Sequence, residues 1–458
     1  MIFLLFILFL VRINGFIKLP FQGSLIPLKY VEMNKNILIT LQPDELDVVK
    51  QIDGIYGLIG PDVEISNIEN LYHLLLGNGI IQGVFFNKGE LTFVKHYVRT
   101  DKFIYEEKYG KVLQHNGIHL IFFLLNKINL LPNIFGLANT ALVNINKRNY
   151  ALYERDLPYE VLFDFKNKVI STGNKKFVKG IDHFSAHPTI NNEENLVETI
   201  DYNVVKNTVN FHQLSSNMVI QRTFHVFTKY LPIIHDFIST KYNYIFVDAP
   251  LIVDFSSFNS KAMPVSLSQN KPTFIRVVNK ITGRVRTYET PESFYIFHYA
   301  QIQEDENRII IYAPMYDTID FSTLDIQGRY RRLIIDKYSG KVIIEKREEL
   351  ENLDMDFPVC FGGDKIVFRN MKDRICEGFV ICRDLEIIHK IYLENRFVCG
   401  EPRVIYLKSV PYLITFLIKN NDHNQGSLML INLIDYKQIE IVLGVPITYG
   451  FHSFFANE

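Results

Sequence analysis

Four histidines occupy similar settings: His187 in FSAHPTI, His235 in IIHDFIST, His298 in SFYIFHYAQIQ and His452 in TYGFHSFF. Each lies among apolar, β-branched or aromatic residues, which is the environment of an inward-facing strand position. A buried imidazole needs a partner for each ring nitrogen. A single such residue is ordinarily a satisfied core histidine. Four drawn from separate hairpins could instead converge on one point. Four neutral imidazoles without a carboxylate make a borderline nitrogen site, suited by ligand type to iron, copper, zinc or nickel. The residues alone leave both readings open.

The elements that must carry these histidines read as strands. GVFFNKGELTFVKHYV, NYALYERDLPYEVLFDF, RLIIDKYSGKVIIEKR and SLMLINLIDYKQIEIVLGV are each a strand, a turn and a second strand. His235 and His298 are expected inside alternating strands. The return strand after His235 is YNYIFVDAPLIVD, and the one after His298 is RIIIYA beyond an EDEN turn. His452 is expected in the last strand. Helical periodicity is confined to LIFFLLNKINLL and a segment around VVKNTVNF. The stretches 201–224 and 321–355 read as insertions or connections.

Many hairpins without a β-α-β rhythm predict an all-β protein. A chain this long must protect its sheet edges, and a propeller of 4–8 four-stranded blades does so. Roughly 420 residues over seven blades is about 60 per blade, above the kelch repeat of about 50.

The composition narrows the function. With 48% hydrophobic and 22% charged residues in 458, a large core is expected. Lys+Arg 49 against Asp+Glu 50 gives a net charge of −1, so the chain lacks the positive surplus that grips nucleic acid. The 36 Phe and 25 Tyr, without Trp, must mostly fill a core, although they could also wall an apolar tunnel. Cys360, Cys376, Cys382 and Cys399 lack paired C-x-x-C spacing, so buried thiols are expected rather than a zinc knuckle. MIFLLFILFLV is too short to span a bilayer, and no basic residue precedes it. Residues 1–15 therefore read as either a signal peptide or a membrane-docking patch. Residues 30–458 read as one domain. Peripheral membrane association and entry into the secretory pathway both remain open.

Ordered along the chain, HLLLGNGIIQGVFF, HYVRTDKF, GLANTALV, ALYERDLPYEV, FSAHP, IIHDF, FHYAQ, MDFPVCF, CGEPRVIYL and YGFHSFF resemble successive patches of the carotenoid cleavage oxygenase family. The resemblance runs from about residue 55 to the C-terminus. It implies a seven-bladed β-propeller, with a few helical insertions capping the metal-bearing face, and one axial Fe(2+) held by His187, His235, His298 and His452. It implies that Glu154, Glu401 and Asp356 fix those rings from behind, with Asp356 standing where the family has a glutamate. One methylene shorter, Asp356 is expected to lengthen its hydrogen bond unless the backbone or a water compensates. Thr140 matches a threonine whose methyl crowds a vacant iron position. LLLGNG and LIGP depart from the family pattern and are expected to weaken turns near the first blade. The implied activity is cleavage of a carotenoid or apocarotenoid double bond by dioxygen to carbonyl products. A retinoid isomerohydrolase, a stilbene-cleaving relative and a non-enzymatic lipid- or partner-binding propeller are the alternatives.

Overall fold

Seven antiparallel sheets of four or five strands follow one another along the chain, each a blade, and a separate two-stranded ribbon pairs Leu251–Val253 with Val265–Leu267. The computed structural model describes residues 36–63, 75, 77–109, 136–191, 193–253, 265–321, 326–372, 375–419 and 422–457. The apolar N-terminal run, His73 and LIFFLLNKINLL lie outside them. The first complete blade pairs Ala141–Ile145, Arg148–Leu152, Tyr159–Asp164 and Val169–Lys175 in that order. Five more blades follow, opening with the strands Thr189–Asn191, Ile238–Ser239, Gln301–Glu304, Asp354–Phe361 and Arg396–Val398. The seventh is assembled from both ends of the fold. Its strand Ser453–Ala456 pairs with Gly54–Pro61, which continues into Gly79–Asn87, Glu90–Tyr97 and Ile37–Ile39. In register, Ile55 faces Ala456 and Leu58 faces Ser453, so the ring closes through hydrogen bonds across nearly the whole sequence. Division into short radial blades leaves each sheet only short, protected edges in place of the long exposed ones that a row of hairpins would otherwise present.

The packing lies between neighbouring blades. Ile245 and Ile275 of one blade meet Ile309, Ile311 and Leu333 of the next in one cluster. Tyr56 and Val84 of the closing blade meet Ile414 and Phe416 of the blade before it. Strands sandwiched in this way are covered on both faces, and Gly54–Pro61 is buried at every position. Glycines allow the seam to approach closely. A Cβ on Gly60 would lie 2.3 Å from the Gly450 Cα, and one on Gly450 would lie 2.3 Å from Leu58 Cγ.

The structure corrects several local expectations. VVKNTVNF is not helical; it forms the hairpin joining Leu196–Asn203 to Thr208–Ser215. Both 201–224 and 321–355 supply blade strands, the latter including Gly328–Asp336 and Val342–Glu345. LIGP is the end of a buried strand and forms no turn. The four histidines are outside the strands proper. Each lies one to three residues before an innermost strand, at the starts Thr189, Ile238, Gln301 and Ser453. Hydrophobic alternation running on into the strand hid this boundary. Cys376, Cys382 and Cys399 are buried thiols, whereas Cys360 is exposed. Among the described residues, no helix is long and apolar enough to cross a membrane.

Candidate metal centre

The loops entering four innermost strands point their histidines at one another. One ring nitrogen from each of His187, His235, His298 and His452 lies within 4.8 Å of the others. The Nε2 atoms form a chain: His187 to His235 at 3.0 Å, His235 to His298 at 3.2 Å and His298 to His452 at 3.4 Å. His298 and His452 are buried, and the other two are partly so. All other described histidines are elsewhere. Among them, His96 sits in the closing blade with its Nε2 lacking a hydrogen-bond partner.

Carboxylates hold the far side of three rings. His235 Nδ1 donates to Glu154 at 2.5 Å and His298 Nδ1 donates to Asp356 at 2.8 Å. His452 Nδ1 faces Glu401 at 3.4 Å, while Glu401 also accepts the Ser453 backbone N–H at 3.0 Å. The expected lengthening at Asp356 does not occur, and the longest contact belongs to a glutamate. The strand carrying Asp356 is bulged between Asp356 and Val359, and Phe357 adopts a left-handed φ of 54°. Bulges of this kind re-aim side chains beside functional sites. Here the bulge accompanies a shorter acid that still reaches its ring. Among the described residues no carboxylate pairs with the His187 ring, and its backbone N–H donates to Ser185 Oγ at 3.0 Å.

The electrostatics agree with this wiring. Burial pushes the carboxyls of Glu154, Asp356 and Glu401 up, but the adjoining histidines and hydrogen bonds outweigh it. All three stay below their usual values, Asp356 at about 2. Burial, helped by the other three rings, pushes His187 well below the ordinary imidazole value.

A bound cation fits these residues. An Nδ1–H donated to a carboxylate leaves a neutral ring with its lone pair on Nε2. Three such lone pairs, on His235, His298 and His452, then crowd one centre, with His298 Nε2 3.2 Å from that of His235 and 3.4 Å from that of His452. Only a positive centre among them turns that repulsion into attraction. A metal–nitrogen bond of about 2.1 Å separates neighbouring nitrogens by about 3.0–3.4 Å, the spacing seen here.

Beside the rings lies a cavity of about 250 Å³. Its walls include Thr140, Tyr202, Tyr295, Phe297, Tyr449 and Phe451. Nine of its lining residues are Phe or Tyr, so part of the aromatic excess walls an apolar chamber while the rest fills the core. Thr140 is buried, and its hydroxyl donates to Asn139 Oδ1 at 3.1 Å. Asn139 in turn donates to the carbonyls of Leu75 and Gly77, tying Thr140 to the neighbouring loop.

Sequence reading missed two supporting residues. Asp236 accepts the backbone N–H of Phe237 at 2.7 Å and of Tyr299 at 3.4 Å, bridging the turns that carry His235 and His298. Burial raises its carboxyl above the usual value, against the pull of both rings. An acid directly following one of the four histidines was the available signal. Tyr316 hydrogen-bonds Asp356 from a strand that no local pattern ties to it.

The model of the retinal pigment epithelial membrane protein family matches residues 43–457. The chain belongs to this family of carotenoid oxygenases. It is 25% identical to carotenoid 9,10(9′,10′)-cleavage dioxygenase 1 of Arabidopsis thaliana over 89% of this chain and 85% of that protein. Its fold is similar to cobalt-substituted Synechocystis apocarotenoid oxygenase, with a TM-score of 0.72 at 17% identity over 93% of this chain and 96% of that one. It is similar to the same degree to lignostilbene dioxygenase of Pseudomonas brassicacearum, with a TM-score of 0.75 at 16% identity over 96% and 98%. At such identities the likeness is one of fold, and that fold is the seven-bladed propeller.

Proposed function

We propose that this chain is an iron(II)-dependent dioxygenase that cleaves a conjugated double bond of a carotenoid or apocarotenoid to two carbonyl products. The observation that carries the reading is the convergence of four histidine ring nitrogens beside an aromatic-walled cavity. His187, His235, His298 and His452 would hold the iron, which when bound supplies the chemistry that activates dioxygen. A relative of the same fold takes cobalt, and the curated relatives are named for carotenoid cleavage.

The protein's own contribution is orientation and exclusion. Glu154, Asp356 and Glu401 fix the tautomer and angle of three rings, which keeps the donor atoms aimed inward. Asp236 locks two of the turns together. Thr140, with its hydroxyl engaged by Asn139, leaves its methyl to narrow the space beside the rings. The aromatic walls align an extended polyene and keep bulk water from the reacting bond.

The test is metal analysis of purified protein beside a His298→Ala variant, followed by product analysis with and without oxygen. The reading requires iron in the wild type, its loss in the variant and oxygen-dependent carbonyl products. Equal iron in both proteins would refute the site. Isomerised product formed anaerobically would replace cleavage with isomerohydrolase chemistry.

A further inference from the structure

Arg369 is a buried arginine in the wall of the cavity, only 5% exposed. Arg331 shows how this chain holds such a charge elsewhere: it is 1% exposed and lies between two carboxylates, Asp317 at 2.5 Å and Glu351 at 2.6 Å. Arg369 grips aromatic side chains instead. Its guanidinium carbon lies 4.3 Å from the centroid of the Phe357 ring, and Nη1 donates to Tyr449 Oη at 3.2 Å. Nε is sealed inside the protein without a partner, so it meets no ligand. A planar guanidinium can stack on one ring with its face while its edge donates to another group, a combination that suits arginine better than lysine.

The two residues it grips belong to different arms of the metal centre. Phe357 follows Asp356, the carboxylate behind His298, and Arg369 pairs with Asp356 across the ladder. The Phe357 ring lies 4.9 Å from the His298 ring and 5.4 Å from that of His452. Its left-handed φ of 54° is costly for a bulky residue and persists only where the surroundings hold it. Tyr449 stands three residues before His452, on the connection between Gln438–Val442 and Ser453–Ala456. The Thr448 N–H donates to Gln82 Oε1 at 3.0 Å, so the closing blade pins the backbone of this connection while Arg369 pins its phenol. One guanidinium thus ties the support of His298 to the segment that carries His452. The Nε2 atoms of those two rings are 3.4 Å apart, the widest step in the chain of rings.

We propose that Arg369 is a positioning residue that fixes the His298 and His452 arms of the centre relative to each other, acting through Phe357 and Tyr449. This rests on the reading of the four rings as a metal site. Arg369 touches neither metal nor substrate in this role; it sets how two of the donor nitrogens are spaced.

The test uses cobalt(II), whose visible absorption bands report the number and geometry of its ligands, beside hydrogen exchange of the metal-free protein. Arg369→Met keeps most of the bulk. It is expected to change the cobalt bands and to weaken cobalt binding about 10-fold in competition with a chelator, the lower end of the cost of losing a group that orients ligands. Tyr449→Phe removes only the acceptor and should give part of that loss. The double variant should lose no more than Arg369→Met, as for two residues acting through one contact. In metal-free Arg369→Met, exchange should quicken in both 354–361 and 445–452. Arg331→Met is the comparator, expected to lose stability without altering the cobalt bands. Wild-type bands and affinity in a folded Arg369→Met overturn the proposal, and so does exchange that quickens at 354–361 alone. If Arg369→Met does not fold, unchanged bands in Tyr449→Phe overturn it instead. A wild type that binds neither cobalt nor iron removes the metal reading, whereas joint quickening of both segments still supports the tie through Arg369.

Discussion

The three carboxylates behind the rings should not contribute equally to holding a metal. Charge-assisted N–H···O contacts are strongest at about 2.7–2.9 Å and weaken beyond about 3.2 Å. Glu154 at 2.5 Å and Asp356 at 2.8 Å are short contacts, whereas Glu401 at 3.4 Å is past the normal range. Losing such a partner typically costs about 10–100-fold in metal affinity, or about 1.4–2.7 kcal/mol. Glu154→Gln and Asp356→Asn are therefore expected near the hundredfold end, and Glu401→Gln near the tenfold end. Asp356→Glu inserts a methylene between a ring already in reach, Tyr316 and Phe357, whose ring centroid is 4.9 Å from that of His298. Overpacking of this sort costs about 1–3 kcal/mol of stability, and no gain in metal binding is expected. Competition against a chelator of known affinity, with thermal unfolding alongside, measures both quantities. A Glu401→Gln loss larger than that of Glu154→Gln, or an Asp356→Glu variant binding metal tenfold more tightly, would show the reasoning from contact length to be wrong.

Other perturbations test the frame. Burial, with the nearby Asp356, pushes Asp354 up to about 6, against the Gly328 N–H that it accepts at 2.9 Å. The folded state thus holds this proton too tightly. The resulting penalty is absent below the unfolded value near 3.8, grows as pH rises and is complete above about 6. Asp354→Asn should raise the melting temperature at pH 7.5 and leave it unchanged near pH 3.5, with a ceiling of about 3 kcal/mol; equal effects at both values would contradict the assignment. Gly60→Ala puts a Cβ against backbone on the opposite side of the seam, so a loss of about 3 kcal/mol or more is expected in denaturant unfolding. Arg331→Met keeps the bulk of the side chain but removes its hydrogen bonds to the partly exposed Asp317 and Glu351, and a loss of about 1–3 kcal/mol is expected by the same measurement.

The sequence by itself determined the class of structure and the identity of the four histidines. Alternation and turn residues are local, so hairpins such as Gly79–Asn87 with Glu90–Tyr97 could be read directly. Family patches then ranked His187, His235, His298 and His452 above the other histidines. Boundaries were less legible, because a loop that dives inward is as apolar as the strand it enters. His298 therefore read as strand although it precedes Gln301. Only the tertiary structure decided that Asp356 reaches its ring, because the outcome depends on a bulge and a left-handed Phe357, not on side-chain length. Only it revealed that Arg331 is held between Asp317 and Glu351, since pairing between separate elements is invisible to spacing along a chain. Ring closure has the same character: Ile55 and Ala456 carry no mark of each other until six intervening blades bring them side by side.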